Sequence, residues 1–144
     1  MPYYWREANS YGTYAYISSE HGPLQIIDLT NPDAPTLVTT FGQRSHTVSV
    51  DVANRRLWAN GGSNPGGGCT IYDLLSPTSP LQVGTYSSAY VHDCLPLRGY
   101  SYLAQISAGN CRILDTRSFP TLTTLSTTAT PGLFTHNVWV DDDD

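Results

Sequence analysis

The stretch "LQIIDLTNPDAPTLVTTF" at residues 24–41 recurs twice along this chain of 144 residues, and its copies align with it without gaps. The copies are "CTIYDLLSPTSPLQVGTY" at 69–86 and "CRILDTRSFPTLTTLSTT" at 111–128. Each copy begins with alternating apolar residues that end in an aspartate, and such a period of two is typical of a β-strand. A proline-containing turn and a second β-type run follow, so every copy predicts two neighbouring strands.

Two independent markers share one repeat period of 42 to 46 residues. Aspartates stand at positions 28, 73 and 115, and histidines stand at positions 46, 92 and 136. Because two unrelated residue types recur with the same spacing, the chain consists of repeated units. A helical repeat is excluded, since prolines interrupt every candidate helix and no segment keeps apolar residues at helical spacing.

Each aligned segment is preceded by two further β-type runs. In chain order these pairs are "WREANSY" (5–11) and "TYAYISS" (13–19), "HTVSVD" (46–51) and "RRLWANG" (55–61), and "VHDCLPL" (91–97) and "YSYLAQI" (100–106). Four short strands in roughly 40–45 residues, joined by tight turns, are the pattern of one β-propeller blade.

The sequence therefore predicts an all-β chain: a β-propeller fragment or open arc of three four-stranded blades plus the first strand of a fourth. The blades are predicted at about residues 3–42, 44–87 and 90–129, and that first strand at 132–141. Propellers close with about four to eight blades, whereas an arc of three leaves apolar blade faces in water. We therefore expect the open faces to contact further blades of the same chain or other copies of it, in a ring or a filament.

The composition favours β-structure and excludes two classes of function. Only 13% of the residues are charged, ten are tyrosines, and all seven basic residues are arginines. Aromatic side chains suit a pleated, half-buried surface. The net charge of −5 argues against nucleic acid as a partner, because phosphate recognition needs a basic face. No apolar run reaches the roughly 18 residues of a membrane-spanning helix, so no membrane span is predicted.

Several of these segments resemble a known family. "LQIIDLTNP" (24–32) and "TIYDLLSPTSP" (70–80) resemble LVIVD-repeat propellers, in which a hydrophobic strand ends in Asp and runs into a Ser/Thr-Asn-Pro turn. "YVHDC" (90–94) and "FTHNVWVDDDD" (134–144) are similar to strands of the choice-of-anchor B family of secreted or surface bacterial proteins. The resemblance implies an extracellular or cell-surface propeller without a defined reaction. This chain departs from the family in being short.

The histidines mark a candidate site, because each begins the innermost strand of a blade and such strands line the central channel. Alignment of the first blade with the third places Arg6 opposite His92 and Glu7 opposite Asp93. The candidate ligand-binding residues at the mouth of the channel are therefore His46, His92, His136, Asp93, Arg6 and Glu7.

Two interpretations of this site remain open. In the functional one, His46, His92 and His136 bind a divalent transition metal, to which the carboxylates add ligands, or they bind an anion beside Arg6. In the architectural one, each imidazole makes a hydrogen bond to the neighbouring blade and recurs only because the blade recurs. The second interpretation is favoured, so no cofactor is assigned.

The recurring aspartates have a structural explanation. An aspartate at the end of a strand can accept backbone N–H bonds from the turn that follows, and Asp before Ser, Thr, Asn and Pro is typical of turns. Asp28, Asp73 and Asp115 are therefore predicted to stabilise turns.

Three functions follow from these observations. The favoured one is a noncatalytic extracellular or cell-surface propeller, a scaffold that binds carbohydrate or a surface protein through its loop-bearing face. The second is a structural subunit of an extracellular fibre or assembly. The third is a metal-dependent enzyme that uses the histidine arc. The chain has no G-x-S-x-G nucleophile motif, which disfavours an enzyme without deciding the question.

Overall fold

The computed structural model describes residues 4–141, which form twelve β-strands in three four-stranded sheets. The first sheet holds β1 (Trp5–Tyr11), β2 (Tyr14–Ser19), β3 (Leu24–Asp28) and β4 (Thr36–Phe41). The second holds β5 (Thr47–Asp51), β6 (Arg56–Asn60), β7 (Cys69–Asp73) and β8 (Leu81–Tyr86). The third holds β9 (Asp93–Leu97), β10 (Tyr100–Gln105), β11 (Asn110–Asp115) and β12 (Thr123–Ala129). The described residues also form three short 3-10 turns, Pro65–Gly67, Ile106–Ala108 and Pro131–Leu133.

Within each sheet the strands pair antiparallel and in chain order, from β1 to β4, from β5 to β8 and from β9 to β12. A sheet of this kind is a propeller blade. The predicted all-β fold with three four-stranded blades is therefore confirmed. Residue 3, the predicted start of the first blade, lies outside the described residues. Between residues 4 and 141 no helix is long and apolar enough to cross a membrane.

The structure differs from the prediction at residues 132–141, which were expected to form the first strand of a fourth blade. The turn Pro131–Leu133 leads instead into residues 134–141, to which no strand is assigned. A strand needs a hydrogen-bonded partner, and no strand among the described residues pairs with this segment. Residues 134–141 nevertheless contact the third blade: the Val138 N–H donates to a carboxylate oxygen of Asp93 at 3.4 Å.

The same turn follows the third strand of every blade. An aspartate at the strand end accepts the backbone N–H of the residue two positions later, which is an Asx-turn. The donor–acceptor distances are 2.7 Å from Thr30 to Asp28, 2.7 Å from Leu75 to Asp73, and 2.9 Å from Arg117 to Asp115. These contacts are the ones that the sequence led us to expect. Hydrogen bonds from Arg117 also lower the pKa of Asp115 to about 2.

Two apolar clusters form the core, and each lies between adjacent blades. The cluster between the first and second blades contains Tyr16, Leu24, Ile26, Val48, Leu57, Ala59, Tyr72 and Leu74. The cluster between the second and third blades contains Trp58, Cys69, Ile71, Tyr86, Val91, Cys94, Leu103 and Leu114. Burial of apolar surface contributes roughly 25 cal/mol per Å². A blade of this chain therefore gains its stability mainly from the blade beside it.

The innermost strands of successive blades lie side by side around the channel, since β1 contacts β5 and β5 contacts β9. A polar link reinforces the outer part of the first interface. The hydroxyl of Tyr16, which is fully buried, donates to the carbonyl of Pro77 in the second blade at 3.0 Å. Burial raises the pKa of Tyr16 to about 12, so this hydroxyl stays protonated and remains a donor.

We expect Ile71→Asp to unfold the protein, because Ile71 is fully buried between the second and third blades. An unpaired carboxylate at such a position should lower the free energy of unfolding by about 4 kcal/mol or more. Urea denaturation followed by tryptophan fluorescence measures this loss. The matched control is Leu81→Asp on the exposed strand β8, which should change the free energy of unfolding by less than about 1 kcal/mol. A wild-type urea midpoint for Ile71→Asp would contradict the position of this core.

Candidate functional site

The candidate site is the channel mouth, which we define as the region where the innermost strands β1, β5 and β9 begin. His46 and His92 each stand immediately before a strand and extend its ladder by one bond. The N–H of His46 donates to the carbonyl of Asn60 at 2.7 Å, and the N–H of His92 donates to the carbonyl of Ala104 at 2.9 Å. The backbone therefore holds both histidines at the mouth.

The carbonyl groups of all three histidines accept a hydrogen bond from a side chain of the preceding blade. The donors are the Ser18 hydroxyl to His46 at 3.0 Å, the Thr47 hydroxyl to His92 at 2.8 Å, and Nδ1 of His92 to His136 at 2.8 Å. The backbone at each histidine is thus part of the contact between blades, whereas the architectural interpretation concerned the imidazoles, of which only that of His92 is among these donors.

The three imidazole rings form a column. The ring centroids of His46 and His92 are 4.3 Å apart, and those of His92 and His136 are 3.9 Å apart. Nε2 of His46 lies 2.9 Å from Nε2 of His92. Nδ1 of His46 lies 2.6 Å from the carboxylate of Glu20, whose other oxygen accepts a hydrogen bond from Arg6 at 2.8 Å. A continuous chain of hydrogen bonds therefore runs from Arg6 to the backbone of His136.

The charges along this chain follow from its hydrogen bonds. The hydrogen bond from Arg6 and then the one from His46 lower the pKa of Glu20, and the same pairing with Glu20 raises the pKa of Arg6. An ionised Glu20 only accepts, so Nδ1 of His46 carries a hydrogen. Burial, together with the neighbouring histidines, lowers the pKa of His92. Nδ1 of His92 donates to the carbonyl of His136, so in a neutral ring its Nε2 faces Nε2 of His46 as an acceptor.

The two carboxylates predicted at this site each join a blade to a later part of the chain: Glu7 joins the first blade to the second, and Asp93 joins the third blade to residues 134–141. Glu7 accepts the N–H of Val48 at 3.0 Å, and Asp93 accepts the N–H of Val138 at 3.4 Å. The side chain of Asn137 also donates to Asp93, at 3.3 Å. Burial, the largest cause, raises the pKa of Glu7. Glu7 and Asp93 thus have the same structural role in the first and third blades.

Arg6 occupies the mouth without joining the imidazole column. The register of β1 against β2 shifts between Trp5 and Ala8, which marks an irregularity in the strand at this point. The guanidinium of Arg6 points to Glu20 and lies 4.4 Å from the ring centroid of Tyr4. The equivalence of Arg6 and His92 stays a prediction: Arg6 lies within β1, His92 immediately precedes β9, and the two side chains have different partners.

Two adjoining cavities open at the channel mouth. The first has a volume of about 340 Å³ and is lined by Arg6, Glu7, His46, Thr47, His92, His136 and Asn137. The second, about 140 Å³, follows the channel, and its lining includes Glu7, Asn9, Asp93, Asn137 and Trp139. All six predicted site residues thus border one cavity or the other, and Glu7 and Asn137 border both.

The predicted set of three histidine ligands differs from the observed arrangement. Within residues 4–141, no three His, Cys, Asp or Glu side chains are grouped so that they could hold one metal ion. The ring of His136 stacks on His92, and its Nδ1 contacts the side chain of Asn137. No contact joins a ring nitrogen of His136 to His46 or His92 among the hydrogen bonds of residues 4–141. Metal binding by all three histidines stays a prediction without support from this geometry.

Sequence reasoning missed Glu20, which orients His46. The repeat places Gly62 and Ile106 at the corresponding positions of the other blades, so no recurring pattern marks this glutamate. The available signal is its place just after β2, whose last residue Ser19 pairs with Trp5 at the start of β1. That pairing puts Glu20 at the mouth.

The three blades and their shared polar mouth define a segment of a β-propeller, a fold that serves as a binding or scaffold module. The LVIVD repeat profile matches residues 9–42, a range that covers most of the first blade. No curated protein matches the chain.

Two solved structures have a similar fold. One belongs to an S. cerevisiae complex described as Dbp5 bound to Nup159, Gle1, IP6 and ADP, with variant forms of Dbp5 and Gle1; its similar chain has 14% identity and a TM-score of 0.52. The other is the crystal structure of the N-terminal domain of Nup159, with 14% identity and a TM-score of 0.53. Each match covers 87% of this chain and 30% of that chain. The chain therefore spans less than a third of these β-propeller chains, and the likeness concerns the fold alone.

We expect Glu7→Ala to weaken the contact between the first two blades, because the Val48 N–H loses its acceptor. The free energy of unfolding should fall by about 1–2 kcal/mol, and exchange of the Val48 amide hydrogen should accelerate. Glu7→Gln keeps an oxygen acceptor and should lose less than half as much. Urea denaturation and NMR hydrogen exchange measure the two effects. Equal losses in the Ala and Gln variants, or none in either, would contradict the bridging role of Glu7.

Proposed function

We propose that this chain is a noncatalytic binding module of an extracellular or cell-surface propeller, and that it binds carbohydrate at the channel mouth. The observation that carries the proposal is the pair of adjoining cavities at the mouth, where side chains from all three blades and the 134–141 segment converge. Ligand sites are typically concave and contain a few convergent polar groups. Propeller blades present such groups from several directions at once.

The chemistry of the second cavity favours a sugar. Sugar hydroxyl groups both donate and accept hydrogen bonds, which suits the carboxylate of Asp93 and the amide groups of Asn9 and Asn137. Trp139 borders the same cavity with 84% of its surface exposed. An exposed indole offers a flat apolar surface with a polar N–H, which suits the C–H face and hydroxyl edge of a sugar ring.

The cellular location is part of this proposal. It rests on the resemblance of "YVHDC" (90–94) and "FTHNVWV" (134–140) to strands of secreted or surface bacterial proteins of the choice-of-anchor B family. Protease treatment of intact cells of the source organism tests the location. Loss of the chain without cell lysis supports it, and full protection contradicts it.

Carbohydrate binding is tested with a glycan array, followed by titration of the strongest glycan. Trp139→Ala should weaken binding at least about tenfold, because aromatic contacts dominate such sites. The matched control is Phe134→Ala, since this aromatic residue is also exposed but lines neither cavity. It should bind within about twofold of wild type. Absence of binding to any glycan, or undiminished binding by Trp139→Ala, would refute the proposed ligand.

A second candidate function, a subunit of a larger assembly, is favoured by the two open blade faces. Repeat positions that are buried wherever a blade faces a neighbouring blade are partly exposed on the outer faces of the first and third blades. On the third blade these residues are Tyr102, Cys111 and Ile113, equivalent to Trp58, Cys69 and Ile71, which are fully buried. On the first blade they are Ala15, Ile17 and Ile27, equivalent to the buried Leu57, Ala59 and Tyr72.

These faces are the two halves of one kind of interface, so copies of the chain can associate head to tail. Light scattering after size-exclusion chromatography should then give a mass that rises with concentration above the 15.7 kDa of one chain. Ile113→Arg should reduce this mass, because it places a charge on the open face. A wild-type mass of one chain at every concentration contradicts the assembly.

A further inference from the structure

His46 and His92 direct lone pairs toward each other. Their Nδ1 atoms contact groups that only accept hydrogen bonds: the carboxylate of Glu20 at 2.6 Å and the carbonyl of His136 at 2.8 Å. Both Nδ1 atoms therefore carry the ring hydrogen, and in a neutral imidazole the Nε2 atom is then a bare acceptor. The two Nε2 atoms are only 2.9 Å apart. This contact is attractive only if a cation lies between them, either a shared proton or a metal ion.

The partners of the two Nδ1 atoms are those that accompany histidine ligands in metal sites. A metal-bound imidazole usually donates its other N–H to a carboxylate or a backbone carbonyl, which fixes the ring and raises the basicity of the ligating nitrogen. His46 has the carboxylate and His92 has the carbonyl. Arg6 holds the second oxygen of Glu20 at 2.8 Å, so the carboxylate is itself fixed.

The distance between the nitrogens indicates which metals fit. With metal–nitrogen bonds of about 2.0–2.1 Å, nitrogens separated by 2.9 Å subtend an angle near 90° at the metal. Square-planar and octahedral sites have such angles, which suits Cu²⁺ and Ni²⁺. Tetrahedral Zn²⁺ needs the nitrogens to be about 3.3 Å apart, so it requires the two rings to separate.

The surroundings leave room for further ligands on the metal. The cavity of about 340 Å³ opens directly onto His46 and His92. His136 stacks on His92 and supplies only its carbonyl to this arrangement. The protein thus offers two imidazole ligands, and further ligands can reach the metal through this cavity.

We propose that His46 and His92 form a two-imidazole site for a divalent transition metal ion of the Cu²⁺ and Ni²⁺ class, in which Glu20 orients His46. The metal lies between the two Nε2 atoms, which face each other at 2.9 Å. The site does not depend on carbohydrate binding, and its test uses metal salts alone.

The test is isothermal titration of the full chain, without a histidine tag, with NiCl₂ and with CuCl₂ near neutral pH. One ion should bind per chain. His46→Ala and His92→Ala should each weaken binding at least about tenfold, and Glu20→Gln by about 10- to 100-fold, because loss of an outer-shell partner has that effect. His21→Ala is the matched control: His21 is exposed, lies apart from the imidazole column, and should leave binding unchanged.

The variants separate this site from adventitious binding, because only an ion held by His46 and His92 and oriented through Glu20 loses affinity in all three variants while His21→Ala keeps it. Circular dichroism verifies that each variant is folded. If His92→Ala does not fold, Glu20→Gln on the partly exposed Glu20 decides the question. No binding heat, or wild-type affinity in both Glu20→Gln and His46→Ala, overturns the proposal.

Discussion

The packing of adjacent blades against each other is the interaction on which the rest of this structure depends. A single four-stranded blade has two faces that need covering, and in this chain each core cluster is completed only by the next blade. Hydrogen bonds between the blades also fix how one blade is placed against the next. Glu7 accepts the N–H of Val48, and the Ser18 hydroxyl donates to the carbonyl of His46, so the first two blades are held in one register.

The same constraint creates the candidate site. Because the blades repeat around an axis, residues 46 positions apart in the sequence, His46 and His92, have rings whose centroids are 4.3 Å apart. The backbone of each histidine takes part in the architecture, while the ring nitrogens of His46 and His92 have polar partners of their own. The architectural and functional interpretations therefore both concern the imidazole rings: Nδ1 of His46 and Nδ1 of His92 contact groups outside their own blade, and the two Nε2 atoms face each other. The repeat explains where the histidines lie. It does not explain the hydrogen bond between Nδ1 of His46 and the carboxylate of Glu20, which orients that ring.

The features that recur in the sequence were predictable, and those confined to one blade were not. The strands, the blade order and the turns after Asp28, Asp73 and Asp115 follow from alternation and spacing, which depend on local chemistry. The role of Glu20 was not predictable, because neither other blade has a carboxylate there. Arg6 borders the predicted mouth, but its partner Glu20 was not predicted, and the register of β1 is irregular at this point. The segment 132–141 has the sequence of a strand, yet strand formation depends on a partner that no local pattern can supply.

The most direct test of this account is an NMR measurement of contacts between the imidazole rings in the metal-free protein. The central claim is that packing between blades brings the heads of the innermost strands to one mouth. Nuclear Overhauser effects should then connect ring hydrogens of His46 with those of His92, whose centroids lie 4.3 Å apart. A folded protein in which these two rings show contacts only with their own blades would contradict the arrangement of the blades and, with it, the candidate site.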